Sequence, residues 1–181
     1  MYRAVALWAQ RTKVALSDMH RLEQLAKEAR IEFQSGTTAV LLNGEDVTEA
    51  IRGPEIADAA SEVSRIPAVR RALVGKQRKI GEQESVVMEG RDIGSVVFPG
   101  TPYKFYIDAS PEVRFQRRAA QGGRDEIAIR DRVDSSRAVS PLVIAKDAHV
   151  IDTSYLTIEE VINEIVGVLE KMGLRTYRFN D

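Results

Sequence analysis

The chain has 181 residues, room for one domain of ordinary size and too few for two large ones. Hydrophobic residues make up 44% and charged residues 29%, which supports a packed core and excludes a disordered or linker-dominated chain. A net charge of −1 argues against a nucleic-acid binder by default, and the lack of any cysteine removes disulfides, thiolate metal sites and cysteine nucleophiles together.

No apolar run reaches the roughly 18 residues of a membrane span, and the opening MYRAVALWAQ carries neither a signal-peptide core nor a cleavage site. A cytoplasmic protein with no membrane and no nucleic-acid partner is the expectation. In chain order, Met1 to about Ala9 reads as a helix, and Ser17–Glu28 as a second, with Leu22, Leu25 and Ala26 at helical spacing. Ile31–Gln34 and Ala39–Asn43 are short β-type runs around Ser35-Gly36-Thr37-Thr38, and Asn43-Gly44 turns the chain into Glu45-Asp46-Val47. Two helices follow, from Gly53-Pro54 to about Arg65 and from Pro67 to about Gln77, each with proline in its first turn.

Val86-Val87-Met88 is a continuous apolar run of the kind found in a strand buried on both faces of a parallel sheet. Tyr103–Asp108 reads as the next strand and leads through Ala109-Ser110-Pro111 into a helix. Gln121-Gly122-Gly123 breaks that helix, and Asp125–Arg137 forms a charged one. His149–Ile151 is a third buried strand, followed by a last helix from Thr157 to about Lys171 with Ile158, Val161, Ile162, Ile165, Val166 and Leu169 on its apolar face. Strands alternating with helices predict an α/β fold with a parallel sheet. The hairpin and helix pair at about 30–80 reads as an inserted subdomain on it.

Among the 26 basic residues, 19 are arginines, whose planar fork suits carboxylate and phosphate oxygens. Gly90-Arg91-Asp92 follows an expected buried strand, where ligands of open α/β sheets sit. It is read either as an anion fork with a carboxylate acceptor or as a turn ion pair. Arg130, Asp134 and Arg137 share one helical face, as a second such site or as ordinary intrahelical pairs. A Walker A loop, G-x-x-x-x-G-K-[ST], is absent, and the sole Gly-Lys pair, Gly75-Lys76, is followed by Gln77 inside an expected helix. The lone His20 and His149 suggest no metal centre.

The order of motifs is distinctive: MYRAVAL at the start, NGEDVTEAIR at 43–52, IADAASEVSRIPAVRRAL at 56–73, EGRDIGSVVFP at 89–99, IRDRVDSSRAVSPL at 129–142 and VIDTS at 150–154. Together they closely resemble bacterial cytidylate kinase, from Met1 to about Leu169. The resemblance implies a P-loop nucleoside monophosphate kinase fold, with about 30–80 as its CMP-binding subdomain and about 117–137 as a short lid. It also implies phosphoryl transfer from ATP, with Mg²⁺, to CMP or dCMP by a cytoplasmic monomer. By the same resemblance Arg3, Arg91 and Arg137 clamp the CMP phosphate, Arg130 and Asp134 hold the sugar, and Ser61, Arg70 and Asp92 read the cytosine edge. Arg91, Arg130 and Arg137 are the expected catalytic cations. Three departures stand out. The family's first strand and P-loop, which precede MYRAVAL and supply most of the ligands to Mg-ATP, are missing; the lid is short; and the tail Arg175–Asp181 matches nothing. The alternative expectation is a CMP-binding protein, or a fragment, without catalysis.

Overall fold

Alanine-rich sequence at the start of the chain permits close helix packing, and the computed structural model uses it so: in α1 (Tyr2–Arg11), Ala4, Val5, Ala6, Leu7 and Ala9 are all buried. The structure describes residues 1–34, 36–120 and 142–175. They fall into two compact units, one running from Met1 to Met88 and the other beginning at Glu89. The expected charged helix with Arg130, Asp134 and Arg137, most of the expected lid, and the tail beyond Arg175 lie outside the described residues.

In the first unit, Asp18 caps α2 (Met19–Glu28) by accepting from the Arg21 N–H at 2.9 Å. A three-stranded antiparallel sheet follows, ordered β1 (Ile31–Phe33), β2 (Val40–Leu42), β3 (Glu45–Asp46). Asn43 and Gly44 join β2 to β3 with φ of 54° and 89°. These are the left-handed values that a two-residue hairpin demands, and Asn-Gly is the pair best suited to adopt them. A 3-10 turn (Ala50–Arg52) leads to α3 (Pro54–Ser64), and α4 runs from Pro67 to Gln83; both helices take proline in the first turn as expected. Helix α4 outlasts its apolar spacing because residues 78–83 continue on helix propensity with no core to face.

Ala4, Leu22, Leu42, Val47, Ile56, Val63, Val69 and Leu73 belong to a single core. Residues 30–80 therefore share their apolar interior with α1 and α2.

The second unit holds a parallel pair, β4 (Phe105–Asp108) and β5 (His149–Asp152), in the register Phe105 to His149 through Asp108 to Asp152. Helix α5 (Pro111–Ala120) follows β4, with Ser110 Oγ accepting from the Val113 N–H at 3.3 Å. The last helix, α6 (Ile158–Lys171), opens with a capping box, Thr157 and Glu160 bonding each other's backbone N–H groups. The coarse α/β expectation holds, with two corrections. Val86–Met88 is not a strand: it pairs with no other strand among the described residues and Val87 is fully exposed, because apolar content makes a strand only where a partner takes up its N–H and C=O groups. Strand β5 is not buried as expected, and the apolar face of α6 is not covered. Only Ile151 of β5 is covered, and Ile158 and Ile162 of α6 are exposed.

This packing separates two truncations of aliphatic side chains. Leu73→Ala empties a fully buried site and is expected to cost about 2–5 kcal/mol in chemical denaturation of this chain. Val87→Ala should stay within about 0.5 kcal/mol of the parent. Equal losses would place Val87 in a core.

Candidate functional site

Arg70 is the largest fully buried side chain of the described residues, 2% exposed on α4. A charged group taken out of water needs oxygen or a π-face. Arg70 Nη1 donates to the Ser64 carbonyl at 3.0 Å, and its guanidinium lies 5.3 Å from the centroid of the Tyr2 ring. The Ser64 hydroxyl in turn donates to the Ser61 carbonyl at 2.7 Å. Beside Tyr2, Arg3 donates from Nη1 to the Ile51 carbonyl at 2.9 Å in the 3-10 turn. The structure thus ties Arg70 to Tyr2 on α1 and, through Ser64, to Ser61 on α3, with Arg3 next in sequence to the stacked tyrosine. Ser61 itself is half-buried.

The other described pair, Arg91 and Asp92, lies in the second unit. Asp92 is 6% exposed and Arg91 is exposed. Asp92 opens a π-helical turn (Ile93–Val97): its carbonyl accepts from the Val96 and Val97 N–H groups at 2.9 and 3.1 Å, and the Ile93 carbonyl accepts from Phe98 at 2.8 Å. The Asp92 side chain makes no capping bond to the turn. A methyl group on Gly90 would come within 2.9 Å of Ile93 Cγ1, so glycine there keeps the approach open. Arg130, Asp134 and Arg137 lie outside the described residues.

Sequence reasoning missed Lys104, which is 5% exposed. Its ammonium donates to the Pro99 carbonyl at 2.6 Å and to Asp147 Oδ2 at 2.5 Å. The Asp147 partner is 43 positions away, so only the run PYKFYID, one charge beside a strand, could have flagged it. Also missed was Arg117, which clamps the Thr153 hydroxyl at 2.8 Å and the Thr153 carbonyl at 2.6 Å. Gly75-Lys76 lies within α4, and Lys76 donates to the carbonyls of Lys27 and Ala29, both at 2.9 Å, at the C-terminus of α2, where a cation complements the helix dipole. Burial pushes the Lys76 ammonium down from its ordinary value.

A cleft of about 450 Å³ lined by Thr37, Ala39, Asp46, Thr48 and Glu49 touches none of the expected site residues. Among the described residues no group of three or more histidines, cysteines and carboxylates is placed to hold a metal ion. No helix among them is long and apolar enough to cross a membrane.

Comparison with known proteins gives these residues a context. A profile of cytidylate kinase matches residues 1–171. The cytidylate kinase of Solibacter usitatus is 50% identical, the match covering 93% of this chain and 78% of that protein. That of Desulforamulus reducens is 47% identical, covering 94% and 82%, and that of Pelotomaculum thermopropionicum 46%, covering 92% and 80%. The chain belongs to the cytidylate kinase family.

The Lys104 ammonium, bonded to Asp147, holds the Asp147 carboxyl below the ordinary aspartate value. A lowered folded pKa adds stability that is present above the ordinary value and is lost as pH falls through the lowered one. In a carbon-detected NMR titration Asp147 should titrate below a free aspartate, and Lys104→Met should raise it towards the ordinary value; an unshifted Asp147 in the parent would remove the pair.

Proposed function

We propose that this chain serves the ATP-dependent phosphorylation of CMP or dCMP, giving CDP or dCDP. The observation that carries the reading is family membership over residues 1–171, with relatives named cytidylate kinase at 46–50% identity. The arginine supply agrees with it: phosphoryl transfer asks the protein for positioning and charge neutralisation more than for covalent chemistry.

In this reading Arg3, Arg91 and Arg137 take the CMP phosphate, Arg130 and Asp134 take the sugar, and Ser61, Arg70 and Asp92 read the base. Arg91, Arg130 and Arg137 supply the catalytic positive charge. Asp92 is suited to its part because cytosine offers an exocyclic amino donor where uracil offers a carbonyl acceptor, and a carboxylate accepts only from the former. Burial to 6% exposure raises the penalty when the wrong base leaves that acceptor unpaired. Mg-ATP enters as the second substrate. The 181 residues contain no G-x-x-x-x-G-K-[ST] loop to cradle its phosphates.

Two measurements test this. Titration calorimetry of the chain should show CMP binding more tightly than UMP, and Asp92→Asn should narrow that preference by about tenfold or more, since an amide offers either a donor or an acceptor. An unchanged ratio would remove Asp92 from base recognition. In a coupled assay with Mg-ATP and CMP, the 181 residues alone should form ADP at no more than background, because phosphate-directed charge supplies most of the rate in this chemistry. Robust turnover would show that another group of this chain cradles ATP.

A further inference from the structure

Lys104 has no part in the reading above, yet its surroundings fix the segment that carries Arg91 and Asp92. Its backbone is pinned into the parallel sheet: the Lys104 carbonyl accepts from the His149 N–H at 2.8 Å, at the start of the β4–β5 ladder. From there the side chain runs beneath the π-helical turn. A methyl group placed on Gly94 would stand 3.4, 3.5 and 3.8 Å from Lys104 Cδ, Cγ and Cβ, so the aliphatic stem lies against the bare backbone of Gly94. The ammonium ends on the Pro99 carbonyl, beyond the C-terminal end of the turn, and on Asp147, two residues before β5.

One side chain therefore touches the turn in its middle, holds the chain beyond its end and ties both to the sheet. Burying an ammonium to 5% exposure is costly unless its donors are met. Here a carbonyl and a carboxylate meet them, and that same requirement fixes where Pro99 and Asp147 stand.

We infer that Lys104 is a positioning residue for base recognition: by packing under Gly94 and holding the Pro99 carbonyl and Asp147, it sets the π-helical turn that Asp92 opens, and so sets the aim of the Asp92 carboxylate. The inference rests on the proposal that Asp92 reads cytosine. A recognition carboxylate held on a turn is only as well aimed as the turn is fixed, and a displacement of about 1 Å is enough to lose most of a positioned contact. Lys104→Met keeps the stem against Gly94 and removes the ammonium. Asp147→Asn keeps the ammonium and removes its counter-charge at an exposed position, 62% of that side chain being accessible.

The test uses the 181-residue chain with CMP and UMP as probes, and combines titration calorimetry with amide hydrogen exchange and thermal unfolding. Lys104→Met is expected to weaken CMP binding by about tenfold and to shrink the CMP-over-UMP preference. It should also speed exchange at the Val96, Val97 and Phe98 amides, which bond to the Asp92 and Ile93 carbonyls. Asp147→Asn should shift all three in the same direction by less. If Lys104→Met fails to fold, Asp147→Asn reads the same effects with the ammonium in place. A fall in melting temperature alone, with CMP affinity, base preference and the three exchange rates unchanged, would make Lys104 merely structural and overturn the inference. Parent protein that binds neither nucleotide would instead overturn the assignment of Asp92. Positioning of the turn would then be read from exchange alone, and unchanged rates would overturn that too.

Discussion

A cation removed from water must find oxygen, and in this chain that requirement locks the backbone at the places that matter. Arg70 meets the Ser64 carbonyl, Arg3 the Ile51 carbonyl, Lys76 the last carbonyls of α2, and Lys104 the Pro99 carbonyl. In each case a long basic side chain crosses from one element to the main chain of another segment. Removing such a cation costs more than one hydrogen bond, because the carbonyl it served is left with its desolvation penalty. Helix ends and turns, which the apolar core alone would leave loosely defined, acquire fixed positions in this way.

The arrangement suits the chemistry of the family. Phosphoryl transfer gives the protein little covalent work and asks for charges held in place. Arg70 is buried and bonded like a core residue, and in the proposed reading it is also one of the three side chains that take the base. Its contact with the Tyr2 ring and its reach to Ser64 leave it few ways to turn. A rigid donor discriminates between bases better than a mobile one, because an ill-matched partner cannot be accommodated by rotation.

Much of the fold was legible in the sequence. Proline in the first turns of α3 and α4 and Asn43-Gly44 at the β2–β3 turn each signal their structure through local chemistry, and each appears where expected. Val86–Met88 was not legible, because a strand is a property of a pair and the run pairs with no strand among the described residues. The same holds for burial of β5 and α6: an amphipathic pattern announces a face, and what covers it is decided elsewhere. Of the proposed site, the sequence singled out Arg91 and Asp92 from the loop they occupy, and the motif order proposed roles for Arg3, Ser61 and Arg70. Lys104 could not be found, since the ion pair that reveals it spans 43 positions. Nor could the π-helical turn, which depends on main-chain bonds from Val96, Val97 and Phe98.

The central proposal is that this chain recognises CMP, with Ser61, Arg70 and Asp92 as the residues proposed to read its base. The most direct measurement is a titration of the isotope-labelled 181-residue chain with CMP and with UMP, followed by amide and side-chain NMR signals. The account predicts that CMP shifts the signals of Ser61, Arg70 and Asp92 at concentrations where UMP leaves them in place, with Lys76 of α4, whose ammonium meets the carbonyls at the end of α2, unaffected by either. Identical shifts from the two nucleotides, or CMP-dependent shifts that pass these three residues by, would contradict it.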